Sequence, residues 1–274
     1  MTQTQISAKE VMALRQRTGL SMMECKKALV EASGDQDAAE DALRKKMKGK
    51  MDTRSDRAAG EGCVAVAVSD DGLSAAIVEL RAETDFTAKN ENFTKAAEEI
   101  AVASLNANEG DIEPTDPITQ AIDELRISTG ENISYARGHK LTGGEGTVYG
   151  SYVHHDGKTG AIVQGKGDIP ADVLRDICMH ITAVTPSPRG VTREDIPDEI
   201  IEKERKLAME MAVEGGKNEE IAAKMVEGKI NKLYSELALL EQPFVKDDTK
   251  KIKDLLSGEQ ELNAFFRWEV GEEA

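Results

Sequence analysis

An internal repeat limits the folds open to this chain more than any other pattern in its sequence. Three short segments recur at an offset of about 85 residues: Glu61–Val64 returns as Glu145–Val148, Asp71-Gly72 as Asp156-Gly157, and Ile77-Val78 as Ile162-Val163. In each copy, alternating apolar segments flank an Asp-Gly turn signal, and a helical pattern follows. The repeat predicts two related hairpin-plus-helix units and an α+β fold.

A compact three-helix module is predicted before the repeat, over residues 1–50. Ser7 and Ser21 each precede a glutamate by three positions, which is the spacing of a capping box. Gly19 and Gly34 stand where helices should end, and Asp35 can cap the third helix. The residues expected to form its apolar faces are Val11, Leu14, Ala28, Leu29, Ala38, Ala42 and Leu43.

The remaining predicted units surround and follow the repeat. Residues 51–60 are assigned to a linker, which overlaps a basic stretch over 44–57 that is poor in large apolar residues. The first core unit covers 61–140, and the second covers 141–194 and 237–274, with a last strand at 264–270. Residues 195–236 form an inserted helical hairpin around Gly215-Gly216. Its facing apolar residues are expected to be Ile200, Ile201, Leu207 and Met211 against Ile221, Ala222, Met225 and Leu233. The fold class is thus α+β multidomain, with a three-helix module, a duplicated core and an inserted hairpin.

Composition excludes several classes of function. With 51 acidic and 35 basic residues the formal net charge is -16, which argues against nucleic acid and anionic membranes as partners. Aromatic residues make up only 4% of the chain, and none stands in the basic stretch to stack on bases. The first residues lack the pattern of a signal peptide, so we expect a cytoplasmic protein. Three widely spaced cysteines, Cys25, Cys63 and Cys178, are expected to be reduced thiols.

Motifs for cofactors or catalysis are weak. Gly157-Lys158-Thr159 resembles the end of a phosphate-binding loop, but Tyr152 stands where the first glycine is required. His154 and His155 invite a metal site, yet adjacent strand residues are expected to point to opposite faces. No carboxylate or cysteine has a recognised ligand spacing to them. We therefore predict no cofactor, no metal and no catalytic residues, although an enzyme of unrecognised chemistry stays open.

Several longer segments resemble one known family. Residues 17–29 (RTGLSMMECKKAL) and 83–90 (ETDFTAKN) are similar to the two signatures of the elongation factor Ts family. Matching segments continue in the same order at Gly130–Ile133, Ile221–Gly228 and Leu240–Val245. The resemblance spans the chain from about Ile6 to Val270, and several long motifs in one order are far more specific than a single short pattern.

The resemblance implies a guanine-nucleotide exchange factor for elongation factor Tu. The factor would bind the GDP-bound and the nucleotide-free partner and promote GDP release, without covalent chemistry, nucleic acid or membrane. It implies an N-terminal domain similar to ubiquitin-associated domains, and it leaves a homodimer or a 2:2 assembly open. The residues implied to bind the partner are Arg15, Met22, Met23 and Lys26 in the module, Thr84, Asp85 and Phe86 in a wedge, and Gly130, His154 and Val245 in the core.

Local chemistry alone favours a different role for the wedge segment. Thr84 or Asp85 can cap a helix, with Phe86 packed beneath it as core. For the two methionines, helical geometry predicts that Met22 and Met23 diverge by about 100°, so that one is exposed. The competing function for the whole chain is an adaptor or storage partner of a GTPase, which would need no exposed apolar wedge.

Three segments depart from the family pattern. Ser134–Gly138 lacks the paired arginines that family members often carry after Gly130–Ile133, and retains only Arg137. Lys246 follows Val245 where a well-studied form has a methionine. A further C-terminal helix that touches the partner in some members has no counterpart before Ala274.

Overall fold

The computed structural model describes residues 6–52, 56–216 and 218–272. Its helices are α1 (Ala8–Thr18), α2 (Met22–Glu31), α3 (Gln36–Asp52), α4 (Asp85–Ala88), α5 (Glu91–Ser104), α6 (Asp116–Thr129), α7 (Ala171–Ala183), α8 (Asp198–Glu214) and α9 (Glu219–Leu237). Its strands are β1 (Glu61–Val68), β2 (Ser74–Ala82), β3 (Gly110–Asp111), β4 (Ser134–Thr142), β5 (Thr147–Val153), β6 (Thr159–Lys166), β7 (Pro243–Phe244), β8 (Asp247–Lys251) and β9 (Glu261–Glu269).

The two predicted hairpin-plus-helix units are present. In the first unit β1 pairs with β2 antiparallel and α5 follows, and in the second β5 pairs with β6 and α7 follows. The first sheet, called the N-sheet, has the order β1-β2-β4-β3. The second, called the C-sheet, has the order β5-β6-β9, so the predicted C-terminal strand completes it. A small hairpin of β7 and β8 lies beside them.

The two sheets pack face to face and their outer faces carry helices. The sequence of β1 is almost continuously apolar because both faces of this strand are buried. Cys63 and Ala65 pack under α5, around the fully buried Phe93. Val64 points the other way and meets Ile162 in the layer between the sheets. Burial raises the pKa of the Cys63 thiol to about 12, so this cysteine is protonated and unreactive.

A buried charge lies at the junction of the two sheets. The carboxylate of Glu79 on β2 is fully buried and accepts hydrogen bonds from Arg81 at 2.9 Å and Arg137 at 2.7 Å. Its Oε1 also accepts the backbone N–H of Gly271, just beyond β9. The Arg137 guanidinium stacks 4.6 Å from the Trp268 ring centre. Arg137, the one arginine retained in the segment that departs from the family pattern, therefore joins the N-sheet to the C-sheet.

The three-helix module has the helix caps that the sequence predicts. Ser7 and Glu10 form a complete capping box, Ser21 caps α2, and Asp35 accepts two backbone N–H groups at the start of α3. Gly19 ends α1 in the left-handed conformation with φ 68°. The core of the module packs on Ile127 of α6. This contact attaches the module to the first core unit.

Two expectations for the module were wrong. Ala38 and Ala42 are exposed, and Ala39 is buried in their place, because α3 presents the stripe of Ala39, Leu43 and Met47 to the core. The basic segment predicted as linker from residue 44 is helical as far as Asp52, since Lys, Arg and Met are good helix formers. Residues 53–55 of the predicted linker lie outside the described residues.

The inserted hairpin is present, but much of its predicted contact face was wrong. Ile201, Ala208 and Ala212 of α8 pack near Ala222, Val226 and Ile230 of α9. The larger side chains of Ile200, Leu207, Met211, Ile221 and Met225 are exposed. Both stripes have helical spacing, and the alanine-rich one lets the helix axes come closer. Lys217, between the two helices, lies outside the described residues.

Candidate functional site

A short exposed tip follows β2, where the sequence carries the segment Thr84–Phe86. The hydroxyl oxygen of Thr84 accepts the backbone N–H of Thr87 at 3.3 Å and so caps α4. Thr87 and Ala88 face inward and are buried. Phe86 points outward and is 85% exposed. The capping role predicted for Thr84 is confirmed, whereas the expectation that Phe86 packs beneath the helix is wrong.

Asp85 is held as a carboxylate on this tip. Its Oδ2 lies 2.9 Å from the Lys89 ammonium, one helical turn later. The hydrogen bond from Lys89 and the charge of Lys89 lower the pKa of Asp85. An ionised, paired aspartate suits an orienting or contacting role better than that of a general base near neutral pH.

The base of the tip is locked to the segment that follows α6. The Glu131 carboxylate accepts both the backbone N–H of Thr84 at 3.1 Å and its hydroxyl at 2.7 Å. In the opposite direction, Glu83 accepts the backbone N–H of Asn132 at 2.7 Å. Both segments resemble family motifs, but the sequence pattern predicts no role for Glu83 or Glu131. The signal that could have found them is a glutamate next to a small polar residue in each motif.

Gly130 has a local structural role beside these contacts. It ends α6 in the left-handed conformation with φ 73°, and its N–H donates to the carbonyl of Arg126. A residue other than glycine would be strained there. This geometry explains the glycine without reference to a partner, and its predicted contact with a partner stays a prediction.

His154 lies in the turn between β5 and β6, on the same side of the molecule as the tip. Its Nδ1 is 3.1 Å from Asp156 Oδ2, and its side chain is half-exposed. Lys158, in the same turn, pairs with Glu61 at 2.6 Å, and its charge also contributes to the lowered pKa of Asp85. The tip and the His154 turn therefore lie within electrostatic reach of each other.

The expectation that His154 and His155 point apart was wrong. Their ring centres are 4.2 Å apart, because β5 ends at Val153 and the alternation of a strand does not continue into the turn. Across the described ranges, no group of three or more His, Cys, Asp or Glu side chains is placed to hold a metal ion.

The module presents the four predicted contact residues on its surface. Met23 is 79% exposed and Met22 is 37% exposed at the start of α2, while Cys25 points into the module core. Arg15 and Lys26 are exposed as well. The expected exposure of one methionine is met by Met23, and Met22 is exposed as well, though less so. Flexible thioethers on a surface are typical of protein-binding sites.

Val245 occupies the tight turn between β7 and β8 and is half-exposed. Its backbone N–H donates to Nδ1 of His180 at 3.3 Å. His180 is fully buried on α7, and its Nε2 lies 3.0 Å from the Gln242 side-chain oxygen. Because Nδ1 accepts, Nε2 must carry the proton, and the imidazole is neutral. Burial lowers the pKa of His180, despite an opposing contribution from Gln242.

The structure brings some of the predicted site residues together and leaves others apart. Thr84, Asp85 and Phe86 form the tip, Gly130 adjoins its base, and His154 lies in the turn beside it. The module is attached nearby, since Gly19 lies against Ser128 in the last turn of α6. Val245 belongs to a separate hairpin over α7.

Comparisons with known proteins show to which family the chain belongs. A family model described as elongation factor TS matches residues 83–272. The elongation factor Ts of Thioalkalivibrio sulfidiphilus is 41% identical over 97% of this chain and 92% of its own length. That of Hahella chejuensis is 42% identical over the same shares of the two chains. The matched region begins at Glu83, at the base of the exposed tip, and these similarities show that the chain belongs to the elongation factor Ts family.

Proposed function

We propose that this chain is a guanine-nucleotide exchange factor that binds elongation factor Tu in its GDP-bound form and promotes the release of GDP. Membership of the family supports a role in translation elongation, and the proposal extends it to a mechanism. The observation that carries the proposal is the exposure of Phe86. An aromatic ring that projects into solvent from a capped turn contributes little to the fold, and large exposed apolar groups mark binding sites.

In the proposed mechanism the Phe86 ring inserts between apolar side chains of the partner, beside its nucleotide site. The displaced segment of the partner then supports Mg²⁺ and the phosphate groups less well. Bound GDP depends largely on those phosphate and metal contacts, so its affinity falls. No bond of the nucleotide is made or broken. By linkage, bound GDP must weaken the affinity of the factor for the partner by the same ratio.

The other predicted residues are assigned to the grip on the partner. Arg15, Met22, Met23 and Lys26 of the module would contact the nucleotide-binding domain. Gly130, His154 and Val245 would lie near the nucleotide-binding and third domains. We also propose that the complex acts in the cytoplasm. Light scattering of the purified complex distinguishes a 1:1 from a 2:2 assembly.

The release of a fluorescent GDP analogue from the partner tests the proposal. Wild type is expected to accelerate release, and Phe86→Ala to slow the accelerated rate by at least about tenfold, as for loss of a buried aromatic anchor. Circular dichroism and melting should stay near wild type because the ring is exposed. Leu73→Ala is the matched control, since Leu73 is exposed at the opposite end of the same hairpin.

The alternative of an adaptor or storage partner makes the opposite prediction. An adaptor binds the GTPase and leaves its GDP release unchanged, in wild type as in Phe86→Ala. A large loss of stability in Phe86→Ala with normal release per folded molecule would show instead that the ring is part of the core.

A further inference from the structure

The exposure of Phe86 raises the question of what fixes the tip in space. An exposed ring makes few contacts, so the position of Phe86 depends on the backbone of α4. The ion pair between Asp85 and Lys89 is solvent-exposed, and such pairs hold geometry weakly. The buried side chains of Thr87 and Ala88 fix one side of the turn. The entry to the turn, at Thr84, needs a separate support.

The Glu131 carboxylate supplies this support. It accepts two hydrogen bonds from the same residue, one from the Thr84 N–H and one from its hydroxyl. Hydrogen bonds to an ionised acceptor are stronger than those between neutral groups. Glu131 is itself held, because its N–H donates to the hydroxyl of Thr129 in the last turn of α6. The tip is thereby tied to a helix of the core.

The two bonds also decide how Thr84 caps α4. A threonine hydroxyl can donate one hydrogen bond, and the Glu131 carboxylate accepts it. The lone pairs that remain are then free to accept the N–H of Thr87. Without the carboxylate the hydroxyl can rotate and form other bonds, so that the first turn of α4 loses its cap. Glu131 thus acts on the turn that carries Phe86 through Thr84.

We infer that Glu131 is a positioning residue that holds Thr84, and through it the Phe86 tip, in the conformation that inserts into the partner. This inference rests on the proposed function for its effect on nucleotide release. Its structural part does not, because the contacts between Glu131 and Thr84 are within the free factor. A preorganised tip avoids the cost of ordering on binding.

Amide hydrogen exchange in the free factor tests the structural part. Glu131→Ala is expected to speed exchange at the Thr84 and Thr87 amides by about tenfold or more, since local opening controls protection there. Glu131→Gln keeps one acceptor oxygen and is expected to restore part of the protection. Glu113→Ala is the matched control, because Glu113 is an exposed glutamate in the loop before α6. Unchanged protection of both amides in Glu131→Ala would overturn the inference.

Release of fluorescent GDP tests the functional part through a double-mutant cycle. Glu131→Ala is expected to slow the stimulated release by about tenfold, the loss expected for a charge-assisted hydrogen bond, and Glu131→Gln by less. In the Phe86→Ala background the same change is expected to add almost nothing, because the two residues act as one unit. Melting of Glu131→Ala should stay near wild type.

Together, the hydrogen-exchange experiment and the GDP-release experiment distinguish failure of this inference from failure of the proposed function. If Phe86→Ala slows release and Glu131→Ala does not, Glu131 is not a positioning residue. Equal effects of Glu131→Ala with and without Phe86 would also contradict it, because the carboxylate would then act by another route. If Phe86→Ala itself leaves release unchanged, the wedge mechanism fails, and the exchange of the Thr84 and Thr87 amides still decides whether Glu131 fixes the tip.

Discussion

Phe86 illustrates what local sequence can and cannot predict about a single side chain. The cap at Thr84 was predictable, because a threonine at the start of a helix bonds the N–H three residues later. The direction of Phe86 was not, because α4 is only one turn long and offers no repeated apolar spacing to show which side faces the core. The structure places Thr87 and Ala88 on that side. Only the family resemblance indicated that Phe86 points outward.

His180 makes a prediction about pH. Burial lowers the pKa of His180, so the folded protein binds fewer protons than the unfolded chain, in which a histidine has a pKa of about 6.5. The contribution of neutral His180 is complete above that pH and is lost as pH falls from there through the lower folded pKa. One such proton lowers the free energy of unfolding by at most about 1.4 kcal/mol per pH unit.

Urea unfolding at several pH values from about 8 to about 5, which span about 1.5 pH units on either side of an ordinary histidine pKa, measures this effect. His180→Gln removes the titrating ring, so the pH dependence of its stability should be shallower than that of wild type. Equal slopes for the two proteins would show that His180 does not titrate in this way. In wild type, the turn that contains Val245 should also be disturbed as the pH falls. The Val245 N–H donates to Nδ1 of His180, and this bond is lost when Nδ1 is protonated.

Among the elements, hairpins and helices of the repeat were the most predictable parts. Each has its own signal, namely alternation, an Asp-Gly turn or a helical stripe. The β4 strand was not predicted, because Arg137 and His139 lie on its face toward the C-sheet and break the apolar alternation. The polar residues there are satisfied by partners far away in sequence, such as Glu79. A local sequence pattern cannot predict partners that are so far apart in the chain.

In the inserted hairpin, we predict that a change at a small alanine affects stability more than a change at a larger methionine. Ala222 is fully buried in the seam between α8 and α9, whereas Met225 is half-exposed. Ala222→Leu is therefore expected to overpack the seam and to cost about 1–3 kcal/mol of hairpin stability. Met225→Gln, one helical turn away, should change it by no more than about 0.5 kcal/mol.

Hydrogen exchange of amides in α8 and α9 reports the stability of the hairpin separately from that of the core. Faster exchange in Ala222→Leu and unchanged exchange in Met225→Gln are expected. The reverse order would mean that the stripe of larger residues that includes Met225 forms the seam.

In the molecule as a whole, the module is attached to the core by a limited contact. Its own core is complete within residues 6–52, and it meets the rest of the chain mainly at α6, through Ile127 and the pair of Arg44 and Glu124 at 3.5 Å. Removal of residues 1–52 is therefore expected to leave a folded core. If the truncation lowers the free energy of unfolding by about 1 kcal/mol, the melting temperature falls by about 2–4 °C in a chain of this size.

The same truncation should sharply weaken the stimulation of GDP release, because Met22, Met23, Arg15 and Lys26 go with the module. A cooperative melting transition combined with weak stimulation is the expected result, measured by circular dichroism and by fluorescent GDP release. Undiminished stimulation by the truncated protein would contradict the proposed role of these residues.

The pairing of β9 with β6 has a consequence for synthesis of the chain. The N-sheet can form as soon as β4 has left the ribosome, since all of its strands lie in the first part of the chain. The C-sheet must wait, because its third strand follows the whole inserted hairpin. During that interval one edge of β6 lacks its partner, and the apolar face that Trp268 later covers stays open. The nascent chain is then at its most exposed to mispairing and aggregation, and the early N-sheet gives β5 and β6 a surface on which to pack while they wait.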